Sequence, residues 1–333
     1  MSLTIQDIAN MAGVSRATVS KIINNYAGVN ENTKKKVMAI INETGYSPTF
    51  SAKSLATKKS NLIGVIYAGK INVDFTHPFF NQVVSSFKKA VGLLGYDILF
   101  FSNEQFKQDD GSYLARCRHF HVDGCLIIAG DDIEDTIDEL VQSEIPCVGV
   151  DIELKGPKSS FVTTDNKKLS ARVIEHFYMN DLTDIAYIGG EQDSFVATTR
   201  KQGFLEAMTD HSLPIVEDWI QEGDFFDESG YQAMKQILKQ KPYPRAVYAT
   251  SDLMALGALR AILEHGLSVP KDIRLVGCDD IEACRYSMPR LSTVKQDKEM
   301  IGKLAAKMLQ ALIDSDKEVE PILVEPELVV RES

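Results

Sequence analysis

The chain has 333 residues, 44% hydrophobic and 25% charged, an ordinary globular composition for about two or three domains. No apolar run approaches the ~20 residues that span a bilayer, and the N-terminus lacks the build of a signal peptide, so a cytoplasmic protein with no membrane partner is expected. The net charge of −11 by itself argues against nucleic acid, but it is unevenly spread. Residues 1–60 hold eight basic side chains against three acidic ones, Asp7, Glu31 and Glu43, so the acidic excess belongs to the rest. A basic head on an acidic body is the footprint of a DNA-binding unit joined to a part that need not touch phosphate.

Thr4 stands where a helix cap belongs, with Asp7 three residues on, and Ile5, Ile8, Ala9 and Ala12 follow at helical spacing. Gly13 stops that helix, and Ser15 caps a second one from Arg16 to about Asn24. There Val19, Ile22 and Ile23 face inward and Arg16, Ala17, Ser20 and Lys21 face outward. A third helix is expected over 31–44, ended by Gly45. Two short helices around a glycine turn, the second opening on small polar and basic groups, make a helix-turn-helix whose second helix reads a groove. Residues 46–60, YSPTFSAKSLATKKS, form a linker that reads either as two marginal helical turns or as a tether.

From Asn61 onward, short apolar runs alternate with amphipathic stretches: LIGVIYAG, YDILFFSN, VDGCLIIAG, IPCVGVD, DIAYIGG, RAVYATSD and IRLVGCDD. Each closes in Gly, Asp, Asn or Ser, the pattern of βαβ units whose ligands bind beyond the carboxyl ends of parallel strands. The strands are too many for one comfortable sheet, so two α/β lobes with a cleft are expected. The five cysteines (Cys117, Cys125, Cys147, Cys278, Cys284) show no C-x-x-C and are read as reduced core residues. The six histidines have no metal-ligand spacing, and no P-loop, G-x-S-x-G, H-E-x-x-H or dinucleotide fingerprint occurs. No catalytic residue, metal or cofactor is therefore assigned.

The residues from Thr4 to Asn24 meet the head pattern T-I-x-D-I-A-x-x-A-G-V-S-x-x-T-V-S-x-x-I-N, and HPFF, VDGCLII, TRKQGF, SDLMALGALRAI, IRLVGCDD and PRLSTVKQD follow in order. On these motifs the chain resembles the LacI/GalR family of bacterial transcription regulators along essentially its whole length. The resemblance implies an α/β fold in which a three-helix headpiece (1–46) and hinge helix (47–60) precede a two-lobed, periplasmic-binding-protein-like effector domain with parallel sheets. Its N-terminal lobe would comprise 61–163 and 294–322, and its C-terminal lobe 164–293 and 323–333. It further implies a homodimer on a double-stranded, pseudo-palindromic DNA operator, controlled by a small-molecule effector, most often a sugar. A tetramer is not implied, since the chain ends at VVRES without leucine heptads.

Carried over residue by residue, Arg16, Ala17 and Lys21 match base-reading positions, Thr18, Ser20 and Asn24 match positions that touch phosphate or fix the helix, and Thr4 and Ser15 belong to the same expected DNA-binding set. Arg16 suits guanine or a phosphate, Ala17 a thymine methyl, and Lys21 either a guanine or a phosphate. Leu55 matches a hinge leucine wedged into the minor groove, flanked by Ala52 and Lys53, though Thr49 and Phe50 depart from the usual pair after the hinge proline. Arg200 matches an arginine that forks to effector oxygens, Asp279 a carboxylate that accepts from effector hydroxyls, and Phe225 a ring against the sugar face. Asp151 and Ser251 end strands at the same cleft. Gln296 is either a ligand contact or a hinge residue, and Phe79 either an aromatic wall or core. The loop YAGKINVDFTHPFF is longer than in the family, and His77 stands for the usual Asn. Co-repression by a nucleobase or protein partner remains the alternative mode, and a solute-binding receptor the alternative class.

Overall fold

The computed structural model describes residues 3–24, 26–47, 59–68, 75–101, 112–129, 135–191, 194–315 and 317–333. The chain divides into two units, residues 1–60 and 61–333, each with its own cores. In the first, α1 (Ile5–Ala12) begins at a reciprocal capping box. The Thr4 hydroxyl accepts from the Asp7 N–H, and the Asp7 carboxylate accepts from the Thr4 N–H at 2.8 Å. Gly13 ends it at φ +68, and the Val14 N–H folds back onto the Ala9 carbonyl at 3.0 Å. Glycine takes this left-handed turn without a Cβ penalty. Ser15 and Asn30 cap α2 (Arg16–Ile23) and α3 (Glu31–Thr44). Ile8, Ala9, Ala12, Val19, Ile22 and Val37 close a small core between them. The expected hinge, with Ala52, Lys53 and Leu55, lies outside the described residues.

The second unit holds two six-stranded sheets. The first lobe runs β1 (Leu62–Ala68), α4 (Pro78–Leu93), β2 (Asp97–Phe100), α5 (Tyr113–Phe120), β3 (Gly124–Ala129), α6 (Asp135–Val141), β4 (Cys147–Val150) and β5 (Ser159–Thr164). The second runs α7 (Asn166–Tyr178), β6 (Ile185–Gly189), α8 (Phe195–Asp210), β7 (Ile220–Glu222), α9 (Asp227–Ile237), β8 (Ala246–Ala249), α10 (Asp252–Glu264), β9 (Arg274–Asp279) and β10 (Ser292–Lys295). The chain then returns. Helix α11 (Lys298–Asp314) and β11 (Ile322–Val324) complete the first lobe, and β12 (Glu327–Val329) completes the second. The strand orders are β11-β5-β4-β3-β1-β2 and β12-β10-β9-β8-β6-β7, parallel except for β12 against β10.

All seven apolar runs are strands. The polar segments β5 (SSFVTT) and β10 (STVK) carried no apolar-run signal, because Ser and Thr stand where the pattern looks for aliphatic residues. The lobe boundaries expected at 163/164, 293/294 and 322/323 need correction by a residue or two. Thr164 still pairs with Val324, and Lys295 still pairs with both Asp279 and Glu327, so the three crossings follow those residues. The five cysteines are all buried and free.

Helices α9 and α10 approach closely at two glycines. A Cβ at Gly230 would lie 2.2 Å from the Met254 carbonyl oxygen, and one at Gly257 1.9 Å from that of Asp227. Backbone cannot step aside as a side chain can. Gly257→Ala is therefore expected to part the helices and destabilise the second lobe by about 1–3 kcal/mol. Urea unfolding checks this, and an unshifted midpoint would show that the helices separate freely.

Candidate functional site

In the first unit, the exposed side of α2 is organised by its spacing. Arg16, Ser20 and Asn24 stand at i, i+4 and i+8, and Ala17 and Lys21 form the adjacent row. Arg16, Ala17 and Lys21 are exposed, and neither cation meets a carboxylate among the described residues. Thr18 and Ser15 instead bond one another, Oγ to Oγ1 at 2.8 Å, and the Asn24 amide reaches back to the Ser20 carbonyl at 2.9 Å. Thr4 is committed to its cap. The surface thus has two free cations and a methyl at its leading edge, with hydroxyl and amide groups held rigidly behind them, which suits a polyanion whose edges carry acceptors.

In the second unit, the two lobes face each other at the carboxyl ends of their strands. Arg200, on the inner side of α8, keeps 3% of its surface exposed. Its Nε donates to Asn166 Oδ1 at 2.8 Å and its Nη1 to the Thr250 carbonyl at 2.6 Å, while Nη2 has no hydrogen bond among the described residues. Asn166 Nδ2 donates in turn to Thr163 Oγ1 at 3.0 Å, and Thr163 donates to Asp151 Oδ1 at 2.6 Å. This chain of bonds runs from the end of β4 across the β5–α7 crossing to the end of β8, tying one lobe to the other. Burial raises the pKa of Asp151, against the pull of Arg200 and Thr163. Burial alone would lower that of Arg200, yet its neighbours, Asp279 and Asp151 among them, hold it above its ordinary value, so the guanidinium stays charged.

Asp279 closes β9 at φ +120, followed by Asp280 at φ +52, a turn that side chains other than Gly adopt at a cost. Several contacts hold it. The Lys298 ammonium donates to the carbonyls of Asp279 and Asp280. Asp252, fully buried at the start of α10, accepts from the Ile281 N–H at 2.9 Å and from Thr293 Oγ1 at 2.6 Å. Arg331 pairs with Asp280, which is structural. The turn aims the Asp279 carboxylate at the cleft, where Oδ1 accepts from Gln296 Nε2 at 2.6 Å. Asp279 Oδ2, Gln296 Oε1, Thr250 Oγ1 and His77 Nδ1 are buried without a hydrogen-bond partner. Buried polar atoms are ordinarily paired, so orphans converging at strand ends mark a place where a polar ligand completes the bonding.

The other expected contacts divide. Phe225 sits half-buried at φ +69, its ring against Gly190, where a Cβ would fall 2.1 Å from the ring. Ser251 caps α10 and donates to the Phe225 carbonyl at 2.9 Å, so its hydroxyl fixes the loop that carries the ring. Phe79 lies in the core under the first sheet, 2% exposed and edge-on to Phe80, because Phe79, Val83 and Phe87 share one side of α4. Thr163, Asn166 and Thr250 were missed by sequence reasoning. The run TTDN at 163–166, polar residues closing a strand ahead of a capped helix, was the signal available.

Residues 4–49 match the description "Bacterial regulatory proteins, lacI family", and residues 174–333 match "Periplasmic binding protein-like domain". The probable HTH-type transcriptional repressor ExuR of Bacillus subtilis (strain 168) is 34% identical over 333 residues, covering 99% of this chain and 98% of that one. The chain belongs to the LacI family of bacterial regulatory proteins. The lac repressor dimer bound to operator and the anti-inducer ONPF superposes with a TM-score of 0.84 at 29% identity, covering 100% of this chain and 99% of that one. A transcriptional regulator CelR–cellobiose complex superposes at 0.76 with 28% identity and 99% of both chains covered. This LacI-family chain thus has both parts of a family repressor, a helix-turn-helix head and a two-lobed body. Among its described residues no helix is long and apolar enough to cross a membrane.

The pKa of Asp252 is pushed up to about 7 by burial and by the charge of Asp279, against hydrogen bonds from Thr293 and Ile281. The unfolded carboxyl titrates near ~3.9, so between that pH and about 7 the folded state holds a proton that the unfolded chain has released. The stability this contributes is complete below the unfolded value and is lost as pH rises through about 7. Urea unfolding across that range should show the decline, and Asp252→Asn should flatten it. An equal slope in both proteins would remove Asp252 as its source.

Proposed function

We propose that this chain is a ligand-responsive repressor that acts in the cytoplasm, binds a pseudo-palindromic operator as a homodimer, and is released when a carbohydrate enters the cleft. The observation that carries the effector reading is the clamp: a charged Arg200 with Nη2 free, set against the unpartnered oxygens Asp279 Oδ2 and Gln296 Oε1. A hydroxyl both donates and accepts, so neighbouring hydroxyls of a polyol meet a guanidinium and a carboxylate together, and the Phe225 ring offers an apolar face for the C–H side of a sugar ring. A solved relative in complex with cellobiose supports the class, and a dimeric relative on operator DNA supports the assembly. Arg16 and Ala17 read bases, Lys21 reads a base or holds a phosphate, and Thr18, Ser20 and Asn24 hold the helix to the backbone. Lys53 and Leu55 act at the minor groove, where wedging exchanges unstacking for a wider contact on bent DNA.

A nucleobase corepressor is the second reading, because its N–H edge would also meet the orphaned acceptors. Fluorescence anisotropy on an operator selected from random DNA, with sugars and nucleobases added in turn, separates the modes. A sugar that weakens binding supports release, whereas a nucleobase that strengthens it replaces the proposal with co-repression. Asp279→Asn is expected to abolish the ligand response while sparing operator affinity; an intact response would take Asp279 out of the site. Leu55→Ala is expected to weaken operator affinity by roughly one to two decades and leave ligand affinity alone. Equal operator binding by variant and wild type would sink the wedge.

A further inference from the structure

The second lobe holds a cavity that the clamp does not use. It measures about 440 Å3 and is lined by Asp280, Arg285, Arg290, Lys295, Glu327 and Arg331. Residues 61–333 carry an acidic excess, so four cations around one hollow run against the trend of their own unit. They arrive from separate places. Arg285 closes the 3-10 turn Glu282–Arg285 after β9, Arg290 stands before β10, Lys295 ends β10 and Arg331 follows β12. Antiparallel pairing sets Lys295 opposite Glu327, and the two-residue period of β12, continued to Arg331, keeps these side chains on one face.

The partners of the four cations are unequal. Arg331 is committed, to Asp280 and to the Leu291 carbonyl. Lys295 meets Glu327 at 3.0 Å and Arg290 meets Glu332 at 2.7 Å, but both pairs stand largely in water, where ion pairs are held weakly. Arg285 approaches Asp280 Oδ2 only at 3.9 Å, beyond hydrogen-bond distance, and its guanidinium has no hydrogen bond among the described residues. Asp280 is thus shared by two guanidiniums, and Asp280, Glu327 and Glu332 together leave one cation over.

We propose that this cavity is a second ligand site, which takes the phosphate of a small phosphorylated molecule between Arg285 and Arg290, with Lys295 and Arg331 adding charge. A phosphate monoester carries up to two negative charges and three strong acceptor oxygens. It answers the open donors of Arg285 and outweighs the single charge of Glu332 on Arg290, and the planar fork of arginine fits two of its oxygens. Bare phosphate would leave most of the volume empty. Small-molecule sites span ~300–1,000 Å3, so an esterified phosphate is the better fit. The cavity adjoins the clamp through the backbone of one turn, Asp279–Asp280, and shares no side chain with it. The two sites therefore stand or fall separately.

Calorimetry on the full-length protein at constant ionic strength, with inorganic phosphate, glycerol 3-phosphate and glycerol as probes, tests this. Glycerol 3-phosphate is expected to bind one per chain, more tightly than inorganic phosphate, and glycerol to give no heat. Arg285→Ala and Arg290→Ala should each weaken glycerol 3-phosphate about tenfold. Both side chains are more than half exposed, so their removal leaves the core untouched. Lys271→Ala takes away an exposed cation outside the cavity and should change nothing. Asp279→Asn should likewise leave phosphate binding intact, whatever becomes of the effector response. No binding of either phosphate up to ~10 mM, or wild-type affinity in either arginine variant, overturns the proposal. So does an equal loss in Lys271→Ala, which would make the effect one of diffuse charge, or a loss in Asp279→Asn, which would move the phosphate into the clamp.

Discussion

A guanidinium that keeps 3% of its surface in water needs its N–H groups answered from within, and Arg200 finds those answers along the line where the two lobes meet. Asn166 and the Thr250 carbonyl hold two sides of its plane, and Thr163 carries the bonding on to Asp151 in the other lobe. An isolated charge here would be prohibitively costly. The surrounding carboxylates offset that cost, and the nitrogen they leave free is turned toward the cleft. The lobes are thus bridged through the same group that faces a ligand. Any ligand that bonds to Arg200 bears directly on the inter-lobe bonding, which is the physical basis on which occupancy of the cleft can be felt elsewhere in the body.

The opposing carboxylate depends on a different kind of support. Asp279 and Asp280 both hold positive φ, as do Asp151 and Phe225, so four of the non-glycine residues in that region of backbone space sit at or beside strand ends facing the cleft. Such conformations persist only where the surroundings fix them. For Asp279 and Asp280 the fixing groups are Lys298 on their carbonyls, Asp252 on the Ile281 N–H and Arg331 on Asp280. For Phe225 they are Ser251 on its carbonyl and the bare backbone of Gly190 under its ring. The cleft is shaped largely by residues that never reach its interior.

The head obeys simpler rules. Its helices start and stop on local signals: the Thr4–Asp7 box, Ser15 and Asn30 at the caps, and Gly13 and Gly45 in left-handed turns. Each signal acts within four residues, so reading along the chain was enough to place the helices and their outward row of Arg16, Ala17 and Lys21. In the body, the alternation of apolar runs with amphipathic stretches likewise disclosed seven strands, a parallel architecture and strand ends rich in Asp and Ser. It did not disclose β5 or β10, where Ser and Thr pair in strands because their neighbours are fixed on both sides.

What the sequence determined by itself, then, is whatever depends on near neighbours: helix caps, strand periods, the basic head on an acidic body, and the motifs that mark the family. Tertiary structure alone decided which polar groups are used up and which are left over. Ser251 looks like a ligand contact until its hydroxyl is seen to cap α10 and hold Phe225, and Phe79 becomes a core ring once α4 is laid on its sheet. Thr163, Asn166 and Asp252 gain their roles only from partners up to 41 residues away, and Asp279 Oδ2, Gln296 Oε1 and His77 Nδ1 stand out only because no donor among the described residues reaches them. Hydrogen bonding saturates. Which atom remains free is a property of the whole set of contacts, and no stretch of sequence contains that set.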